Sequence, residues 1–259
     1  MKNICLSVCC FLLLFTACQK NEIIPEDKTL VTDSDIEKIT AMGFNPQGLQ
    51  KVDKGFIVEG DIFIREDEAA YNGFSDQLEE YVVRTSRVTG LPRTITIRVA
   101  GSLPSSYITA TDAAIARYNA VGLRITFARV TTGGNIVISG VASTSFLAIA
   151  GYPAGGNPYN SIQLSRTYLD SWVAPSVTTV IAHEIGHCIG FGHTDQYDPS
   201  YSCGSGGFEQ PGYPSGGVVP IPGVPPGPSP DSWMLRCISN GINRPFTPTD
   251  LTVLRIIYG

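Results

Sequence analysis

The hydrophobic positions follow two different periods, and the period changes several times along the chain. Ile95, Ile97 and Val99 alternate with polar residues, as do Leu123, Ile125 and Phe127, which is the two-residue repeat of a half-buried strand. Between them, residues 111–121 place Ile115, Tyr118 and Val121 at helical spacing. Residues 136–138 and the pair Ile162 and Leu164 read as further strands, with residues 146–150 a weaker one. Five strands and one helix thus precede a second helix over 177–190. A last helix opens at Thr247-Pro248-Thr249-Asp250, a capping sequence with proline in the first turn. Upstream, residues 34–42 predict a helix stopped by Gly43, residues 56–64 a hairpin, and residues 67–84 a charged amphipathic stretch. The pattern is that of an α+β protein.

The first residues belong to processing. Residues 4–17 form an apolar run behind Lys2 and Asn3, too short for a stable bilayer-spanning helix and placed as a secretory signal. The run closes with Phe15-Thr16-Ala17-Cys18, which resembles a bacterial lipoprotein box whose cysteine takes the lipid, although Phe15 departs from the usual leucine. An ordinary signal peptide followed by a chance cysteine is the alternative. The expected division is a lipoprotein signal peptide over 1–17, a tether over 18–30, a small N-terminal region over 31–92 and the main domain over 93–259. Arg84, Arg87 and Arg93 punctuate the junction where an exporting cell could cut. The expected location is the bacterial cell envelope, outer membrane included, on its periplasmic or surface face, with membrane contact through the anchor alone.

Composition narrows the partners. A chain of 259 residues, 43% hydrophobic and 16% charged, has ample core, and wholesale disorder is excluded. Its 18 bases against 23 acids, with no basic run, exclude nucleic acid as a partner, because displacing counterions from a polyanion needs a surplus of lysine and arginine. Of seven cysteines, Cys5, Cys9 and Cys10 leave with the signal and Cys18 is acylated. Cys188 continues the apolar line Val177, Ile181, Ile185 of its helix and is expected buried and free, which makes Cys203–Cys237 the preferred bridge. Residues 204–230 hold 8 glycines and 8 prolines and predict an irregular surface loop.

The chemistry lies at His183-Glu184-Ile185-Gly186-His187-Cys188-Ile189-Gly190-Phe191-Gly192-His193, which contains all three histidines of the chain. Two histidines four apart on a helix project from one face and can share an ion. Catalytic zinc takes three protein ligands and keeps a fourth position open, so a third donor must come from off that face. Gly190 can adopt a positive φ, end the helix and let His193 return to the same ion. Glu184 stands beside the first ligand, where its carboxylate can take a proton from attacking water. A purely structural zinc would need a fourth His or Cys; no fourth His exists and Cys188 faces away. Serine and cysteine triads need a separate base histidine.

Residues 183–193 match the H-E-x-x-H-x-x-G-x-x-H signature of the metzincin clan of zinc metallopeptidases, and the element order from residue 93 onward is similar to that clan's. The resemblance implies a zincin-like catalytic domain with a five-stranded mixed sheet, an active-site helix, a methionine turn and a C-terminal helix. Met234 in Ser232-Trp233-Met234 is the candidate for that turn. The ending from Asp250 to Gly259 is similar to the final helix of matrix metalloproteinases. The His-Glu-Ile-Gly-His wording, the exit His193-Thr194-Asp195 and the segment Val58-Glu59-Gly60-Asp61-Ile62 look most like the bacterial dual-action HEIGH metallopeptidases. The implied function is a zinc endopeptidase, one catalytic Zn2+ held by His183, His187 and His193, with Glu184 as general base and a protein or peptide substrate. That substrate would lie extended along an exposed edge strand near residues 146–150. A non-catalytic surface adhesin or binding lipoprotein on the same scaffold, using the Gly/Pro loop, is the alternative.

One departure and one parallel follow from the same comparison. Astacins and serralysins carry a tyrosine two residues after the turn methionine, where this chain has Arg236, which either stands in as the oxyanion helper or, the favoured alternative, is a surface ion-pair residue. Asp195 and Asp198 follow the third histidine and could bind calcium, though solvated turn carboxylates are the simpler reading. Astacin pro-segments hold the aspartate of a Gly-Asp dipeptide against the zinc. Gly60-Asp61 resembles it, which implies a latent precursor with Asp61 as the switch, against the alternative that Asp61 only closes a hairpin turn.

Overall fold

Where the chain alternates apolar and polar residues it forms strands, and the packing of those strands brings the hairpin over 55–65 into the main sheet, which the pattern did not imply. The structure is a computed structural model and describes residues 30–69, 77–79, 87–195, 198–204, 218–220, 224 and 228–259. Helix α1 (Asp33–Ala41) begins where Thr32 and Asp35 cap each other's amides, and the chain turns away at Gly43, φ 81°. Strands β1 (Gln50–Val52), β2 (Gly55–Val58) and β3 (Ile62–Arg65) form a meander, followed by the short α2 (Glu66–Ala69) and β4 (Gln77–Glu79). Then come β5 (Arg93–Val99), α3 (Ser105–Asn119), β6 (Ile125–Val130), β7 (Ile136–Val141), β8 (Ala148–Gly151), β9 (Ser161–Ser165) and α4 (Arg166–Leu169). Helix α5 (Ala174–Cys188), α6 (Ser200–Cys203), β10 (Val218–Pro220) and α7 (Pro248–Tyr258) complete the described elements.

Helix α3 starts earlier than its periodicity suggests. Its first turns bury Tyr107, Ala110 and Thr111, a mixture of small and polar residues that mutes the apolar signal. Helix α5 also starts early, with Pro175 in its first turn, where the missing N–H costs nothing.

The sheet corrects two expectations. Strands β5 to β9 are present, but they belong to an eight-stranded sheet ordered β1-β2-β3-β8-β9-β7-β5-β6, not a five-stranded one. Strands β6, β5, β7 and β9 are parallel neighbours, and β8 returns antiparallel to β9. The outer edge of β8, expected free for substrate, is taken by β3, which pairs with it in parallel through Ile62↔Ala150 and Phe63↔Gly151. An open edge presents a row of unsatisfied N–H and C=O groups, and the N-terminal hairpin satisfies them. Strands β4 and β10 form a separate parallel pair.

The main core lies where α3, α5 and α7 pack on the sheet around Ile97, Tyr118, Ile162, Ile181 and Leu254. Ile57 and Phe63 of the N-terminal hairpin belong to this core too, while Phe56 and Ile62 on its other face pack with Ile39, Phe44 and Tyr152 in a second cluster. A disulfide joins Cys203 to Cys237, and Cys188 is buried as a free thiol. Cys18 with residues 1–29, Arg84, and most of the 67–84 stretch and of the 204–230 loop lie outside the described residues. Arg93 is held at the start of β5, donating to Gly156 and Asn157. Among the described residues no helix is long and apolar enough to cross a membrane.

Candidate metal centre

Helix α5 is buried from Ser176 to Cys188, so the imidazoles of His183 and His187 are aimed inward on one face. The helix then closes abruptly. Gly190 takes φ 107°, its amide reaches the His187 carbonyl at 2.9 Å, and the Phe191 amide reaches Gly186 at 2.9 Å. The chain doubles back and the His193 ring centroid comes to 5.3 Å from His183 and 5.0 Å from His187, with His183 and His187 themselves 4.6 Å apart.

Each ring is held through Nδ1. His183 Nδ1 donates to the Trp233 carbonyl at 2.8 Å and His187 Nδ1 to the Phe191 carbonyl at 2.7 Å. A carbonyl can only accept, so both rings carry the proton on Nδ1 and turn the Nε2 lone pair to the centre. His193 Nδ1 lies 2.9 Å from Glu59 Oε2. The sequence pattern had marked the segment around Glu59 but not this contact; the signal lay in a bulky acid immediately before a turn glycine.

Asp61 enters the same space from the hairpin β2–β3. Its Oδ2 lies 3.0 Å from His193 Nε2 and 3.4 Å from His183 Nε2, and its Oδ1 lies 3.8 Å from His187 Nε2. One donor atom from each of Asp61, His183, His187 and His193 falls within 4.8 Å of the others. The fit to a cation is tested by what is left unsatisfied. His183 Nε2, His187 Nε2, Asp61 Oδ1 and Glu184 Oε2 are buried without a hydrogen-bond partner, and buried polar atoms are rarely left so. Three imidazole nitrogens and a carboxylate are a donor set that suits zinc.

The charges respond to this crowding. Burial, with the neighbouring His183, brings the His187 pKa down to about 4. Burial also opposes charge on His193, but the carboxylates of Asp61 and Glu59 outweigh it and lift the ring to about 10. For Asp61 burial acts upward, and the surrounding imidazoles, His193 first, hold it well below the carboxylate range. Glu184, 2% exposed, is pushed well up by burial and then by the charge of Asp61.

Met234 is fully buried, and its Sδ would lie 2.5 Å from a Cβ added at Gly186. The turn is pinned by Ser232, which donates to Asp250 at 2.8 Å, and by the Thr194 amide on the Met234 carbonyl at 3.0 Å. A cavity of about 180 Å³ adjoins the site, bounded by Leu147, Thr179, Glu184, Arg236 and Arg244. Arg236 is therefore not the surface residue expected: it is half-buried on that wall, beside Gly60. Asp195 is not a solvated turn carboxylate either. It is 1% exposed and accepts from the Arg236 amide and the Ser202 hydroxyl, holding the strap after the methionine to α6, while Asp198 accepts from Ser200.

No curated protein matches the chain significantly. Two structures of myroilysin are similar to it at 16% and 17% identity, each covering 67% of this chain and 82% and 86% of their own, with TM-scores of 0.43 and 0.42. High choriolytic enzyme 1, a hatching enzyme zinc-protease from Oryzias latipes, is similar at 22% identity over 39% of this chain and 44% of its own, with a TM-score of 0.27. The family model of the dual-action HEIGH metallo-peptidases matches residues 56–258, a span that contains Asp61 and all three histidines. The chain belongs to that family and is a zinc-dependent endopeptidase.

Proposed function

We propose that this endopeptidase is made as a latent precursor, held off by its own N-terminal hairpin until that hairpin leaves. The observation that carries the reading is Asp61 Oδ2 at 3.0 Å from His193 Nε2 and 3.4 Å from His183 Nε2, inside the tripod. His183, His187 and His193 would hold the zinc, and the Asp61 carboxylate would compete with water for it. When bound, the zinc supplies Lewis acidity that polarises a peptide carbonyl and acidifies water. Glu184, buried beside the donors, takes a proton from the attacking water and returns it to the leaving amine. Met234, seated against Gly186, is the apolar support of the helix that carries two ligands.

Substrate is a protein or peptide that pairs in extended form with β8. In the precursor that place is filled: the Ala150 amide donates to the Asp61 carbonyl at 3.0 Å. Departure of the hairpin opens the edge strand and the metal corner together. Export with a lipid on Cys18 is supported by the apolar run before it and by the Cys203–Cys237 bridge, which needs an oxidising compartment. Fatty-acid labelling of the expressed chain, lost in Cys18→Ser, tests the anchor.

The enzyme reading is tested on the folded chain by limited proteolysis of the N-terminal region followed by assay on casein and a peptide library. Nicked wild type cleaves and nicked Glu184→Ala does not. If both are equally inert with zinc bound, the scaffold serves binding instead.

A further inference from the structure

The three Nδ1 atoms are not held alike. Those of His183 and His187 meet backbone carbonyls of Trp233 and Phe191, both on the C-terminal side of the ligand helix. That of His193 meets a side chain 134 residues away, Glu59 of the N-terminal hairpin, with Glu59 3% exposed and His193 fully buried. The contact sits in an unfavourable backbone. Glu59 has φ 54° and Gly60 φ 91°, consecutive left-handed positions that Asn-Gly or Gly-Gly fill with least strain. A turn chosen only to join β2 to β3 would not place a long acid there, so the strain points to what the side chain does.

We propose that Glu59 is a positioning residue for the third zinc ligand, so that the N-terminal hairpin both covers the metal and retains it. The tripeptide Glu59-Gly60-Asp61 clasps one ring from its two nitrogens, Glu59 at Nδ1 and Asp61 at Nε2. A carboxylate on Nδ1 fixes the tautomer and the plane of the ring and makes Nε2 a stronger donor. The precursor is then the form that keeps its zinc, and release of the hairpin costs His193 this partner at the moment it opens the site. The inference rests on the reading that the hairpin stays docked in the precursor with zinc among the three Nε2 atoms.

The test uses the full zinc-loaded chain and needs no turnover. Zinc transfer to a chromophoric chelator is timed for wild type, Glu59→Gly, Glu59→Gln and Asp61→Asn. Glycine is the deletion of choice because it relieves the left-handed strain that alanine would keep. Glu59→Gly releases zinc about 10- to 100-fold faster, the affinity loss for removing a partner behind a histidine ligand being carried by the dissociation rate. Glu59→Gln, whose amide oxygen can still accept from Nδ1–H, recovers much of the loss. Three histidines in the whole chain give an uncrowded imidazole 1H–15N spectrum, in which only the His193 Nδ1–H signal moves or exchanges away in Glu59→Gly. Unchanged release in Glu59→Gly, or three imidazoles shifting together, overturns the proposal. Asp61→Asn separates the two readings: if it releases zinc at the wild-type rate the fourth-ligand reading fails, while the Glu59 result stands or falls by itself.

Discussion

The Asp61 carbonyl accepts the Ala150 amide at 3.0 Å while the Asp61 carboxylate lies among the three imidazoles, so one residue touches both the edge of β8 and the donor cluster. The two contacts are separable. Asp61→Ala removes the carboxylate but leaves β3 hydrogen-bonded to β8. A small hydroxamate should then bind the full-length chain roughly a hundredfold more tightly, the gain expected when a tethered competitor is removed. Self-processing should speed up, with turnover of long substrates still short of the nicked enzyme. Titration calorimetry and timed gels read the two effects, and an unaltered processing rate would remove Asp61 from the switch.

Glu184 is buried next to the donor set without being part of it, which separates metal binding from chemistry. Glu184→Gln keeps the size and loses the carboxylate that is proposed to act as base. Nicked Glu184→Gln should retain zinc at one ion per chain by atomic absorption while kcat falls by about 10²- to 10⁴-fold. Loss of zinc in step with activity would make Glu184 a structural partner of the site instead.

Gly186 lies within the last turn of α5, and inside a helix alanine ordinarily stabilises over glycine by roughly 0.5–1 kcal/mol. Here the sign reverses. The added Cβ would lie 2.5 Å from Met234 Sδ and 3.1 Å from Trp233 Nε1, and both side chains are fully buried, with Trp233 donating to Tyr118 at 3.0 Å. Overpacking of this kind costs about 1–3 kcal/mol, so Gly186→Ala should lower Tm by several degrees. Adding Met234→Ala should cost less in this background than in wild type, a coupling measurable by a double-mutant cycle.

What could be read from the sequence was whatever is local. The His183 and His187 pair, the Gly190 turn and the Thr247 cap each lie within a few residues and have one geometric solution. Strand β3 in the sheet was not legible, because its pairing with β8 spans the gap from Ile62 to Ala150 and depends on which open edge is nearest in space. Glu59 escaped for the same reason: its partner is 134 residues away, and its local spelling argues only for a turn. Asp195 and Arg236 look like surface residues by type, and only the fold of the strap after Met234 brings the Arg236 amide onto the Asp195 carboxylate. Long-range pairing of polar groups is carried by no periodicity.

Tyr107, Tyr118 and Tyr258 are all buried, and burial pushes each hydroxyl above its ordinary pKa near 10, Tyr258 to about 12. Tyr118 donates to the Ala182 carbonyl at 2.8 Å, one residue before the first ligand, and Tyr258 donates to the Ile189 carbonyl where the active helix ends. Tyr107 donates to Asp170 at 2.7 Å, whose carboxylate opposes ionisation further. A group with a folded pKa above its unfolded one contributes stability that is whole below the unfolded value and is lost as pH climbs through the folded one. Stability should therefore be insensitive to these tyrosines up to about pH 10 and fall steeply above it. Because two of the three hydroxyls brace the ends of the ligand-bearing stretch, zinc should escape to a chelator over the same pH interval in which absorbance at 295 nm rises and near-ultraviolet dichroism collapses. Reversible ionisation of all eleven tyrosines with dichroism and zinc retained would show that these hydroxyls do not hold the helix.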